Sequence, residues 1–443
     1  MKINRVKLRN YKKFDEAEFQ FHPDFTVLIG DNATGKTSIL NALATLLSTY
    51  LLLADVFAGR WSVKKDEARL LITEKNGLLN FEPQKEVFLE AEGFRDGRSF
   101  FWKRRIKDRG GDATELIEMS SEDFMRVSKG EDVDLPVLLY YGSGRLRDIH
   151  STVKTGKPGS RLTGYRNCLD CKSDNALFES WFKTLELTVL QKNKSIPALD
   201  VVRNTVMACI PNAKRFFFDV EHDQLMIEFK DLGHCPFNNL SDGYRIMVAM
   251  VADIAHRASR LNPHFGADAA QNASGVVLID EIDLHLHPKW QRRVVGDVKK
   301  VFPGIQFIAT THSPFIIQSM DSGEIIDLNQ PTTAHIPSDG YAVALPSPVF
   351  SYSHHPIEDI VEDVMGIELP QRSRRYQEMY DTAKEYYALL KEGAVVDADK
   401  KETIKQKLDE LSAPFSEYVA YHAFLEMKRE AADLGASAKG LES

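Results

Sequence analysis

Eight consecutive residues, Gly30-Asp31-Asn32-Ala33-Thr34-Gly35-Lys36-Thr37, fit the spacing Gly-x-x-x-x-Gly-Lys-Ser/Thr. Glycines at those places let successive backbone N–H groups turn inward toward a phosphate chain, and a helix beginning there adds its positive dipole end. Lys36 is expected to reach the β- and γ-phosphates and Thr37 to ligate Mg²⁺, with Ser38 closing the phosphate-binding stretch. A second group is Val276-Val277-Leu278-Ile279-Asp280-Glu281, an apolar run ending in two carboxylates. Such a run reads as a buried strand, which places the acids at the edge of a sheet. Asp280 then suits the Mg²⁺ shell, and Glu281 suits polarisation of an attacking water. Strand ends with paired acids are common, so the motif gains its meaning from following the phosphate loop in the chain. The expected chemistry is ATP hydrolysis with Mg²⁺.

The elements that must position these groups are legible around them. Residues 25–29 form an apolar run feeding the glycine loop, and a helix follows, giving a strand–loop–helix unit. Residues 3–8 and 16–21 read as strands. Residues 86–94 and 99–106 flank Arg95-Asp96-Gly97-Arg98, a hairpin with an Asp-Gly turn. One helical stretch is expected over 176–209, with Trp181, Phe182, Leu185 and Val189 on one face. A second hairpin is expected over 216–229, a helix over 242–261, a polar loop over 262–275, and a further buried strand over 305–310. Beyond residue 346 the composition turns to proline-rich loops and charged helical segments, at 372–392 and 400–411. Taken together this is an α/β chain: a domain over 1–345 with a helical insertion at about 146–212, then a helical region over 346–443.

Composition narrows the class. With 43% hydrophobic and 27% charged residues over 443, the chain can build a full globular core. A net charge of −8 excludes a wholly basic nucleic-acid coat while leaving room for a local basic groove. Four cysteines and an opening without an apolar leader segment lead to an expectation of a reducing, cytoplasmic setting. The apolar stretch over 39–57 is broken by polar residues and directly follows the phosphate loop. A core helix is expected there, and no membrane association.

Leu240-Ser241-Asp242-Gly243, at the start of the 242–261 helix, would by itself be a helix cap. Its position shortly before Asp280 gives it another reading, since it resembles the signature of the ABC ATPase superfamily, Leu-Ser-Gly-Gly-Gln and its relatives. Ser241 and Gly243 match; Asp242 and Tyr244 depart. Asp283 matches the family's D-loop, and His312, in Ala309-Thr310-Thr311-His312-Ser313, matches its switch histidine. The resemblance implies an ABC ATPase head with a mixed sheet, an antiparallel β subdomain and a helical insertion. It implies that Ser241, Asp242 and Gly243 serve the ATP of a partner copy, that Asp283 lies across the seam, and that His312 bonds the γ-phosphate. The chain would then close as a dimer over two ATP molecules, alone or within a higher oligomer.

Residues 38–240 leave too long an insert for a compact transporter subunit, and no heptad arms of the SMC type are present. Ile3-x-x-Val6-x-Leu8-x-Asn10-Tyr11-x-x-Phe14 and Asp280-Glu281-Ile282-Asp283-Leu284-His285-Leu286-His287-Pro288 resemble RecF- and OLD-type ATPases. Tyr140-Tyr141-Gly142-Ser143-Gly144-Arg145, Gly164-Tyr165, Cys168-Leu169-Asp170 and Trp181-Phe182 resemble the stand-alone ATPases of bacterial Septu and retron defence systems, the PtuA group. That resemblance implies a switch that gates a separate nuclease, perhaps of the HNH type. A RecF-like repair or clamp ATPase closing on DNA is the alternative.

Other signals point to less. Cys168-x-x-Cys171 is half a zinc site without a second pair, and His285-x-His287 falls inside the D-loop segment. Glu392-Gly393 followed by Asp397-x-Asp399 has the acids of a Toprim nuclease without the strand and helix such a site needs. Basic clusters at Lys2/Arg5/Lys7/Arg9/Lys12/Lys13 and Lys103/Arg104/Arg105/Lys107/Arg109 read either as solvated edge strands or as a DNA or RNA track. Arg145 is a candidate phosphate or interface sensor.

Overall fold

The computed structural model describes residues 1–54, 63–106, 114–144, 160–170, 175–329, 343–344, 351–366, 378–379, 381–382, 385 and 398–412. Arg145, Cys171, Lys107, Arg109, Glu392, Gly393, Asp397 and most of the 372–392 stretch lie outside them. The chain divides into two compact units, Met1–Ile360 and Val361–Ser443.

Strands β3 (Phe25–Ile29), β8 (Val137–Tyr141), β12 (Gly275–Ile279) and β13 (Ile305–Thr310) are buried along their whole length. With β14 (Ile325–Asp327) they make one parallel sheet, in the order β14-β3-β13-β12-β8. Continuous apolar runs are what a parallel sheet covered on both faces requires. The order matters for function. β13 lies between β3 and β12, pairing Ala309 with both Val27 and Ile279. The loops after β3, β12 and β13 therefore open side by side at the C-terminal edge, where open α/β sheets hold their ligands.

A second sheet runs β15 (Val343–Ala344), β2 (Phe14–Gln20), β1 (Lys2–Tyr11), β6 (Phe88–Arg95), β7 (Arg98–Arg105), antiparallel except for β15. The β6–β7 turn has Asp96 at φ 52° and Gly97 at φ 79°, the left-handed pair that an Asp-Gly hairpin supplies. Helix α1 (Lys36–Leu47) touches β12 and β13 on one side and β6 and β7 on the other. Ile39, Leu40, Leu43, Leu46 and Leu47 are fully buried as a result, so the first part of the 39–57 stretch is a core helix between two sheets. A 3₁₀ turn over Ser48–Leu51 follows it, Leu52 and Leu53 are exposed, and residues 55–57 lie outside the described residues. The Trp102 indole N–H donates to the Leu46 carbonyl at 3.0 Å, satisfying one of the free carbonyls at the end of α1. A separate ribbon, β4 (Leu70–Lys75) and β5 (Leu78–Pro83), is exposed at almost every residue.

The cations of β1 are matched by carboxylates: Lys2 with Asp24 (3.2 Å), Arg5 with Glu18 (2.7 Å) and Glu92 (3.3 Å), Lys7 with Glu16 (3.1 Å), and Arg9 with Glu86 (3.9 Å). Lys103 on β7 pairs with Glu90 at 3.5 Å. The β1 part of the basic run is thus a ladder of alternating charge rather than a bare cationic stripe.

Helices α2 (Thr114–Ser128), α3 (Asn175–Lys192) and α4 (Pro197–Cys209) lie in the long insert. The helical stretch expected over 176–209 is helical and divides in two, because Asn193 turns at φ 48° and Pro197 can begin a helix but not continue one. Of the face expected there, Phe182 is fully buried, whereas Trp181, Leu185 and Val189 are half-buried. Strands β9 (Ala213–Asp219), β10 (Gln224–Phe229) and β11 (Gly233–Pro236) form a small antiparallel sheet. Helix α5 spans Asp242–Leu261 as the periodicity predicts. The expected loop over 262–275 instead carries a 3₁₀ turn at Pro263–Asp268 and the short α6 (Ala269–Asn272), whose Ala269 and Ala270 are small enough to bury. Helices α7 (Pro288–Val301), α8 (Pro314–Gln318) and α9 (Ile357–Asp363) follow, and α10 (Ala398–Ser412) is the main described element of the second unit.

Candidate functional site

The loop after β3 departs from ordinary backbone at two glycines, Gly30 (φ 140°) and Gly35 (φ 101°), and also at Ala33 (φ 66°), where a side chain is held in a conformation that favours glycine. A Cβ at Gly35 would stand 2.6 Å from the Phe14 ring and 2.9 Å from Lys13, so the β1–β2 turn presses against the loop at a place only glycine can occupy. Thr34 donates its hydroxyl to the Asp31 carbonyl at 2.9 Å, and the Asp31 N–H donates to the Asn329 side chain at 2.8 Å. Lys36 folds back to donate to the Gly30 carbonyl (2.6 Å) and the Asp31 carbonyl (2.8 Å). Burial pushes its ammonium below the usual lysine range, while Asp280, Asp31 and Glu281 pull the other way.

Across the loop stand the acids. Thr37 Oγ1 lies 3.1 and 3.3 Å from the two oxygens of Asp280. A hydroxyl and a carboxylate so placed are hard oxygen donors of the type Mg²⁺ takes together with phosphate oxygens and water. Glu281 adopts φ 51°, and its N–H donates to Thr310 Oγ1 at 2.7 Å. Thr310 Oγ1 in turn donates to Asp280 at 2.7 Å, and the Asp280 N–H donates to the Tyr141 carbonyl at 2.8 Å. Asp283 accepts from the Thr311 hydroxyl. A cavity of about 390 Å³ is lined by Asn32, Ala33, Gly35, Lys36, Thr37, Ser38, Asp280, Glu281, Thr310 and His312, together with Lys12 and Lys13. The phosphate loop, both acids and His312 are therefore brought to one place. Gly30, Asp31 and Thr34 belong to the same loop without lining the cavity.

Lys12 and Lys13 were legible only as the end of a basic run. In the fold the β1–β2 turn carries them to the cavity mouth, where Lys13 donates to the Ala33 carbonyl at 3.2 Å. Lys12 pairs with Glu67 at 3.7 Å. Thr310 and Asn329 carried no sequence signal of their own.

The signature residues are elsewhere. Ser241 is the N-cap of α5, yet its hydroxyl makes no cap bond; Ser241 and Asp242 are exposed, and none of Ser241, Asp242 and Gly243 lines the cavity. A Cβ on Gly243 would lie 2.6 Å from the His285 carbonyl oxygen, so this end of α5 sits directly on the segment that follows Asp283. Tyr244 explains its departure from the usual signature. Its ring packs 4.5 Å from Trp290 and 5.7 Å from Phe229, an aromatic anchor inside its own chain.

The remaining candidates have structural roles. His287 accepts from the Lys289 N–H and caps α7. Burial pushes the Cys168 thiol up to about 12, far from a thiolate ligand. Among the described residues no group of three or more His, Cys, Asp or Glu side chains could hold a metal ion, and no helix is long and apolar enough to cross a membrane.

Two family models match consecutive parts of the chain, "AAA ATPase domain" over residues 1–121 and "AAA domain, putative AbiEii toxin, Type IV TA system" over 121–318. A retron Vc95 probable ATPase of Vibrio cholerae is 25% identical over 388 residues, covering 74% of each chain. The Septu protein PtuA of Bacillus thuringiensis is 32% identical over 184 residues, 41% of this chain and 44% of that protein. The DNA replication and repair protein RecF of Staphylococcus aureus is 48% identical over 46 residues, 10% of this chain and 12% of that protein. An α/β head with this loop, acid pair and histidine, matched by ATPase-domain models, is an ABC-type ATPase. Among such enzymes the chain resembles the Septu PtuA proteins and the retron ATPases.

Proposed function

We propose that the chain is a switch ATPase, two copies of which close over two ATP molecules, and that this closure gates a separate nuclease subunit of the HNH type in an anti-phage complex. The phosphate-loop N–H groups and Lys36 hold the phosphates. Thr37 and Asp280 would hold Mg²⁺, which supplies charge neutralisation at the β- and γ-phosphates. Glu281 orients a water and takes its proton, and His312 bonds the γ-phosphate. Ser241 and Gly243 serve the partner's nucleotide, and Asp283 lies at the seam. The 1–345 region is the ATPase domain, followed by a helical region over 346–443.

The observation that carries this reading is a division of labour. The cavity gathers loop, acids and histidine, whereas Ser241 and Gly243 stand outside its lining with an uncommitted hydroxyl. Mixing two defective chains tests it. Ser241→Arg places bulk and charge in the seam, and Lys36→Ala removes phosphate binding. Neither variant alone hydrolyses ATP; their mixture regains activity at one site per heterodimer. Full activity of Ser241→Arg by itself ends the dimer reading. Co-purification from the native operon tests the nuclease.

A clamp closing on DNA is the second reading, favoured by the short RecF match. The pairing of the β1 cations works against a nucleic-acid track on that face. DNA binding that weakens steeply with salt would support the clamp.

A further inference from the structure

We propose that Thr310 is a positioning residue that sets the geometry of the acid pair, holding Glu281 in its working conformation. The inference rests on the reading of Glu281 as the residue that polarises water.

The place of Thr310 follows from the sheet order. As the last residue of β13, it lies at the point where the loops after β3 and β12 converge. It is buried, and its single hydroxyl bonds both acids. It accepts from the Glu281 N–H at 2.7 Å and donates to the Asp280 carboxylate at 2.7 Å. The Thr310 carbonyl accepts from the Ile282 N–H at 2.9 Å, so one residue ties down the chain on both sides of Glu281.

That restraint has work to do. Glu281 sits at φ 51°, a conformation a non-glycine residue avoids and keeps only when its surroundings over-determine it. Without the hydroxyl, the Glu281 N–H loses a partner and the peptide is free to relax toward an ordinary strand end. The carboxylate would then swing away from the water it must orient. Asp280 keeps its contact with Thr37, so the phosphate-side arrangement survives. The effect therefore falls on turnover rather than on nucleotide binding.

Thr310→Val keeps the branched shape in a buried strand while removing both hydrogen bonds, and Thr310→Ser keeps the bonds while dropping a methyl. A misplacement of about 1 Å costs on the order of 10²-fold in rate. Thr310→Val is expected to lose about that much kcat, with KM for ATP little changed. In calorimetry its affinity for a non-hydrolysable ATP analogue should match the unmodified chain. Thr310→Ser should recover most of the rate, and adding Thr310→Val to Glu281→Gln should cause little further loss.

A folded Thr310→Val with native kcat overturns the proposal. So does a folded Thr310→Ser as impaired as the valine variant, or a valine variant whose loss lies in analogue affinity. If Thr310→Val does not fold, a low kcat in folded Thr310→Ser still overturns it. Native turnover in Glu281→Gln would instead show that the reading of Glu281 itself is at fault.

Discussion

The phosphate loop and the signature-like start of α5 are built differently. At the phosphate-loop end, side chains from β13 and α1 and the loops after β3 and β12 converge on one cavity within a single chain. At the signature end, Ser241 and Asp242 are exposed, while the neighbouring Gly243 and Tyr244 are pinned to their own chain through His285 and Trp290. One end is a furnished site and the other is a presented edge. Under the proposed function, a defect at the first should act on binding or chemistry in cis, whereas a defect at the second should act on completion of the partner's site.

The predictions that break or sharpen this contrast run from large effects to small. On the proposed reading, Lys36→Ala should abolish nucleotide binding, because it removes the cation held inside the phosphate loop by the Gly30 and Asp31 carbonyls while leaving the core intact. Calorimetry checks it, and unchanged affinity would count against the whole cavity. Glu281→Gln should bind ATP normally yet hydrolyse it about 10²–10⁴-fold more slowly, the usual cost of a lost general base. Single-turnover kinetics separate the two. Gly243→Ala pushes a methyl into the His285 carbonyl and should destabilise by about 1–3 kcal/mol, as overpacking does. Thermal melts would read that loss; a fall in hydrolysis with intact ATP binding would place the defect at the presented edge. Lys13→Ala should have the smallest effect. An exposed cation near phosphate contributes about 0.2–1 kcal/mol, so KM should rise by no more than about fivefold and less at high salt.

Much of the furnished end was legible in the sequence. The strands over 25–29 and 305–310 occur with the bounds that apolar runs give, and so does the helix over 242–261 at the other end. Those features are local, set by runs of Val, Ile and Leu and by glycine at a fixed spacing. What escaped depends on neighbours far apart in the chain. Thr310 becomes significant only because β13 inserts between β3 and β12, and Asn329 only because β14 flanks β3. Lys13 looked like part of a charged edge, and nothing in the spacing of its neighbours said that its turn would fold over Gly35. The pairing of the other β1 cations was equally hidden, since their carboxylates come from β2, β6 and the connecting loops.

Helix α1 begins at the phosphate loop and runs buried between two sheets, and that arrangement makes the head a thermometer of its own ligand. A molecule gripped at the N-terminus of α1 binds only when the helix is docked and both sheets are closed around it. Mass action then adds its binding energy to the cohesion of the entire unit, about 2.7 kcal/mol when free nucleotide stands about 100-fold above its Kd. Resistance to heat and to proteases should therefore follow the cell's nucleotide supply.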